Sequence, residues 1–72
     1  MAAASVYKFI ELGGTSNVSW EKAAAAAVEM AAKSLRDLRV AEVTQLDMQI
    51  EDGKVTNYRA KVKLSFKVEK LS

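Results

Sequence analysis

From Thr56 to Glu69 the chain keeps one beat: Thr56, Tyr58, Ala60, Val62, Leu64, Phe66 and Val68 alternate with Asn57, Arg59, Lys61, Lys63, Ser65, Lys67 and Glu69. A period of two held this long suits only an extended strand, whose side chains point by turns to opposite faces. Just upstream, Asp52-Gly53 separates this run, taken as Val55–Glu69, from a second strand-like run, Val40–Glu51. A D-G pair in that setting is the strongest short-range hairpin signal, because both turn residues must accept a left-handed backbone. A two-residue turn sets Glu51 opposite Lys54, and in that register Val43 meets Val62, Ala41 meets Leu64 and Leu46 meets Arg59. One sheet face then carries Ala41, Val43, Tyr58, Ala60, Val62, Leu64 and Phe66. The other carries Val40, Glu42, Leu46, Met48 and Ile50 beside Arg59, Lys61 and Lys63.

The chain before the hairpin supplies one more strand and one helix. Val6–Leu12 is rich in β-branched and aromatic residues and reads as a strand ending at the Gly13-Gly14 turn. Ser19 precedes Trp20-Glu21-Lys22 as an N-cap with an acid in the first turn, so a helix starts there. Ala24, Ala27, Val28, Ala31, Leu35 and Leu38 recur at helical spacing and form its buried stripe. The expected fold is therefore α+β, in the order β-α-β-β, with a three-stranded antiparallel sheet wrapped on one helix. Residues 1–72 form a single domain, with residues 1–5 as a flexible N-terminal stretch.

A domain of 72 residues buries only about 60% of the surface its unfolded chain exposes. Small domains make up the shortfall with disulfides, a metal or oligomerisation. The chain has no cysteine and no histidine, which leaves self-association. The lone helix covers one sheet face, so Val40, Leu46, Met48, Ile50 and Arg59 on the other are expected to form the interface between subunits.

The same composition removes several function classes. Nucleophilic triads lack their base, and an enzyme is not expected. Net charge is +2, short of the excess of a nucleic-acid binder. Arg59, Lys61, Lys63 and Lys67 could track phosphates, but that face has no aromatic side chains for base stacking; nucleic acid is not the expected partner. Gly13-Gly14-Thr15-Ser16 lacks the lysine and spacing of a phosphate loop and reads as a plain turn. Trp20, in the first turn of an amphipathic helix, reads as a packing residue. Asp47, Glu51 and Asp52 are weak candidates for a hard cation, without EF-hand spacing. No segment is apolar enough to span a membrane, and a cytoplasmic location is the default expectation.

A wider pattern joins these pieces. Val6-Tyr7-Lys8 and Ile10-Glu11, Gly14-Thr15-Ser16, Ser19-Trp20-Glu21 with Ala24 and Ala27, Leu35-Arg36-Asp37-Leu38-Arg39, Ala41-Glu42-Val43, Ile50 to Val55, and Tyr58 to Phe66 together resemble the dodecins. The resemblance runs from Val6 to Glu69. It implies a subunit of a hollow homododecamer that binds or stores a small molecule, in most members riboflavin or FMN, without catalysis. It also implies where the ligand would sit. Val40 stands where flavin-binding members have a tryptophan that stacks on the ring, and Arg59 where they have a hydrogen-bonding glutamine; Leu46, Met48 and Lys61 are candidate neighbours. With these changes the usual flavin site is expected to be absent or altered, and FMN or riboflavin is the disfavoured ligand. Arg39-Val40-Ala41, Asp47-Met48, Tyr58-Arg59 and Ser65-Phe66-Lys67 are similar to a branch associated with calcium, which makes calcium the alternative ligand and a purely structural assembly the third reading.

Overall fold

The computed structural model describes residues 4–68. Strand β1 (Tyr7–Ser16) leads to helix α1 (Trp20–Ala32), then β2 (Leu38–Glu51) and β3 (Lys54–Lys67). The sheet is antiparallel in the order β1-β3-β2. The strictly alternating strand is thus the central one. Its alternate residues Ala60, Val62 and Leu64 are buried against Ala23, Ala27 and Ala31 of the helix, with Ile10, Leu12, Val28, Leu35 and Leu38 packed around them. Asp52 (φ 52°) and Gly53 (φ 74°) both take the left-handed backbone that a tight primed turn demands. Glu69 and residues 1–3 of the expected N-terminal stretch lie outside the described residues.

Two boundaries differ from expectation by more than two residues. β1 runs through Gly13-Gly14 to Ser16, pairing with β3 as far as Tyr58. These glycines extend the strand rather than end it, because Gly14 lies under the helix, where a side chain would not fit: a Cβ there would collide with the Ala23 carbonyl. The helix in turn stops at Ala32, so Leu35 and Leu38 reach the core from a connection and from the start of β2. Ser34 and Leu35 donate their N–H groups to Ala31 O in a closing turn, and Asp37 (φ 59°) swings the chain back into the sheet. Ala23, absent from the expected stripe, is the most deeply buried helix residue.

Ser19 caps the helix as expected: its side chain accepts the Lys22 N–H at 3.0 Å from an extended backbone (φ −164°), with Glu21 in the first turn. Ser19→Ala should lower stability by about 1 kcal/mol, read as a shift of the urea midpoint with unchanged slope.

The largest correction concerns register. Glu51 opposes Lys54, and Val43 opposes Val62, as expected. Between them β3 gains one residue at Thr56 and β2 one at Thr44, and the segment between these two bulges is slipped by one. Asp47, not Leu46, therefore opposes Arg59, while Leu46 pairs with Ala60 and Met48 with Tyr58. A one-residue slip turns every side chain over. Leu46, Met48 and Ile50 accordingly lie on the helix side of the sheet, and the outer face loses the apolar cluster expected there. Val40 and Glu42, paired with Ser65 and Lys63 outside the slipped segment, keep the outer positions assigned to them.

Candidate functional site

The outer face of the sheet, away from the helix, is built from three rows. β2 contributes Val40, Glu42, Gln45, Asp47 and Gln49; β3 contributes Arg59, Lys61 and Lys63; β1 contributes Tyr7, Phe9, Glu11, Gly13 and Thr15, so the face expected to lack aromatic side chains receives two of them from β1, paired beside Lys67 and Ser65 rather than beside Arg59 and Lys61. Acids and amides thus stand on the edge strand beside cations on the central one. Arg59 Nε donates to Asp47 Oδ1 at 2.6 Å and its terminal nitrogen to Oδ2 at 2.8 Å, the bidentate geometry that matches a guanidinium to a carboxylate. Among the described residues this is the one ion pair.

The pair alters both groups. The hydrogen bonds from Arg59 hold the Asp47 carboxyl below its ordinary pKa; desolvation opposes them, and the charges of Arg59 and Lys61 add to the lowering. The same contact raises Arg59 further above its already high value. A carboxyl with a depressed folded pKa stabilises the fold above its unfolded pKa, and that contribution is lost as pH falls through the lower folded value. Both side chains are open to water, so the effect on stability is small. In a carbon-detected NMR titration Asp47 should have a midpoint below the ordinary carboxylate value, and Arg59→Ala should return it toward that value.

Beside the pair lies a depression of about 260 Å³ lined by Gly13, Thr15, Gln45, Asp47, Arg59 and Lys61. It exists because Gly13 stands opposite Lys61 with no side chain to fill the space. The Thr15 hydroxyl, the Gln45 amide and the Lys61 ammonium can all donate to a ligand there. Gly13, Thr15 and Gln45 were not foreseen as site residues. The signal that could have found the arrangement is electrostatic: shifting the register by one pairs Asp47 with Arg59 and, at the same time, Leu46 with Ala60.

Other candidates are dispersed. Val40 is 61% exposed and shares the outer face with Arg59, but its partner Ser65 is six positions from Arg59 along β3, roughly 20 Å. Within one chain the two do not meet. Leu46 and Met48 are on the opposite face, whereas Lys61 lines the depression. Asp47 is engaged by Arg59, and Glu51 and Asp52 lie at the hairpin tip; among the described residues no three acidic side chains gather as a cation would require. Trp20 packs in the chain as expected, its ring edge-on to Tyr58 with centroids 5.1 Å apart and its indole N–H donating to Asp47 O at 3.0 Å. Among the described residues no helix is long and apolar enough to cross a membrane.

The order of elements and the open three-stranded sheet narrow the fold, and comparison with known proteins decides it. The dodecin family model matches residues 6–69. The chain belongs to the dodecin family. This dodecin is 52% identical over 65 residues to the calcium dodecin of Mycobacterium tuberculosis, a match spanning 89% of the chain and 90% of that relative. Among solved structures it resembles the calcium-chelating immunodominant antigen, calcium dodecin, of the same organism, described with a novel calcium-binding site, at a TM-score of 0.80 and 50% identity over 90% of this chain and 93% of the other. The dodecin of Streptomyces coelicolor matches at a TM-score of 0.88 and 37% identity, over 97% of this chain and all of that one.

Proposed function

We propose that this dodecin is a non-catalytic binding and storage protein, assembled as a homododecamer, whose ligand site is not the tryptophan-sandwiched flavin pocket of its flavin-binding relatives. The observation that carries this reading is the Asp47–Arg59 pair. At the position where those relatives present a glutamine, this chain has a cation that only donates hydrogen bonds, and its donors are already turned onto a carboxylate of the neighbouring strand. Val40, in the place of the stacking tryptophan, is aliphatic. Losing an aromatic pair removes about 1 kcal/mol per contact beyond the buried area, and two symmetry-related copies would lose it twice.

Calcium is favoured over flavin by the 52% identity to a relative named for that ion. A single chain gathers too few acids to bind it strongly among its described residues, so a calcium site would be completed by Asp47, Glu51 or Asp52 from more than one copy. FMN titrated into micromolar protein should keep its fluorescence, while calorimetric titration with calcium should give heat at a fixed ratio per subunit. Stoichiometric flavin quenching would restore the flavin reading. A flat calcium titration would leave a structural assembly alone.

A further inference from the structure

Lys8 is the one charged side chain on the helix side of β1: the alternation that turns Ile10, Leu12 and Gly14 toward α1 turns Lys8 the same way, opposite Phe66 of β3. The helix does not cover it, because α1 ends at Ala32 and the chain returns to β2 through residues 33–37. Between that connection and the ends of β1 and β3 lies a cavity of about 480 Å³. Its apolar lining is Leu35, Phe66 and Val68, and Lys8, Ser34 and Arg36 supply its polar side. Lys67, whose side chain alternates outward, and Asp37 border it. The Lys67 N–H donates to Asp37 O at 3.3 Å, which ties the connection to the end of β3 and fixes one wall. Among the described residues none of these charged groups belongs to an ion pair.

We propose that this notch binds an organic phosphate monoester. It is a separate site from the depression beside Arg59, which opens on the other face of the sheet, and it does not depend on the ligand proposed there. Two cations lining one cavity repel each other, and an anion held between them turns that repulsion into attraction. A phosphate monoester carries about two negative charges at neutral pH, which matches Lys8 and Arg36. Arg36 offers the planar fork that meets two phosphate oxygens at once, Lys8 a compact charge, and Ser34 a hydroxyl donor. The single carboxylate at the border, Asp37, leaves the balance positive. The organic part follows from the space: the volume lies in the range of small-molecule pockets, an inorganic phosphate alone would leave much of it empty, and the half-buried Phe66 ring with Leu35 gives an apolar surface for the remainder of the ligand.

Calorimetric titration of the native protein with phenyl phosphate, against a chloride control of equal ionic strength, tests the site. Saturable heat at one phenyl phosphate per subunit is expected, with inorganic phosphate binding at least about tenfold more weakly. Arg36→Gln and Lys8→Gln should each weaken phenyl phosphate about tenfold or more; both side chains are exposed, so the fold should survive the changes. Lys54→Gln, the same loss of charge at the hairpin end of β3, should leave the affinity unchanged. Absence of saturable heat at millimolar phenyl phosphate would overturn the site. Equal weakening by Lys54→Gln would also overturn it, since net charge rather than the notch would then hold the anion. Inorganic phosphate binding as tightly as phenyl phosphate would overturn the assignment to an ester.

Discussion

Gly14→Ala should lower the stability of the fold by about 3 kcal/mol, while the same change at Gly13 should stay within about 0.5 kcal/mol. Neither glycine has a left-handed backbone, so conformational freedom does not separate them. Space does. A Cβ at Gly14 would collide with the Ala23 carbonyl and approach the Ala27 Cβ at 3.3 Å, whereas one at Gly13 meets nothing within 4 Å. The obstacle at Gly14 is main chain in the middle of a helix, which can yield only if the whole helix lifts from the sheet. Lifting it would uncover Ala23, Ala27 and Ala31, which are at most 5% exposed. Urea unfolding followed by far-ultraviolet circular dichroism compares the two variants; equal midpoints would mean that the helix does not approach β1 this closely.

Leu64→Ala should destabilise by about 3 kcal/mol. Leu64 is 1% exposed at the centre of β3, and with Val62 it is one of the two largest fully buried side chains. Its loss leaves a cavity that neighbouring alanines are too short to fill, which puts the cost above that of methylene transfer alone. Phe9→Ala on the outer face removes a larger group, yet Phe9 is 61% exposed, so the cost in an isolated chain stays below about 1 kcal/mol. Chemical denaturation of the two variants side by side measures the difference. A larger loss at Phe9 than at Leu64 would show that the outer aromatic end is itself buried in the assembled particle.

Much of this fold was legible because local signals agreed with one another. The period of two in β3, the Asp52-Gly53 turn and the Ser19 cap each indicate one structure, and together with the single helix they define β-α-β-β. The end of β1 was not legible, since Gly13-Gly14 carries the same signal whether it breaks a strand or admits a helix closely. Nor was the middle of the hairpin. Bulges at Thr44 and Thr56 leave both ends in the expected register and slip only the part between them, so matching at Val43–Val62 and Glu51–Lys54 gave no warning that Leu46, Met48 and Ile50 had changed faces. For the site, the positions of Val40, Arg59 and Lys61 on the outer face followed from alternation alone. The partner of Arg59 did not, because it depends on that slip.

Multi-angle light scattering on the untreated purified protein at micromolar concentration tests the assembly most directly. Twelve chains of 7.9 kDa should elute as one particle of about 95 kDa. A folded, monodisperse species with the mass of one chain would contradict the assembly and the ligand sites proposed between its subunits.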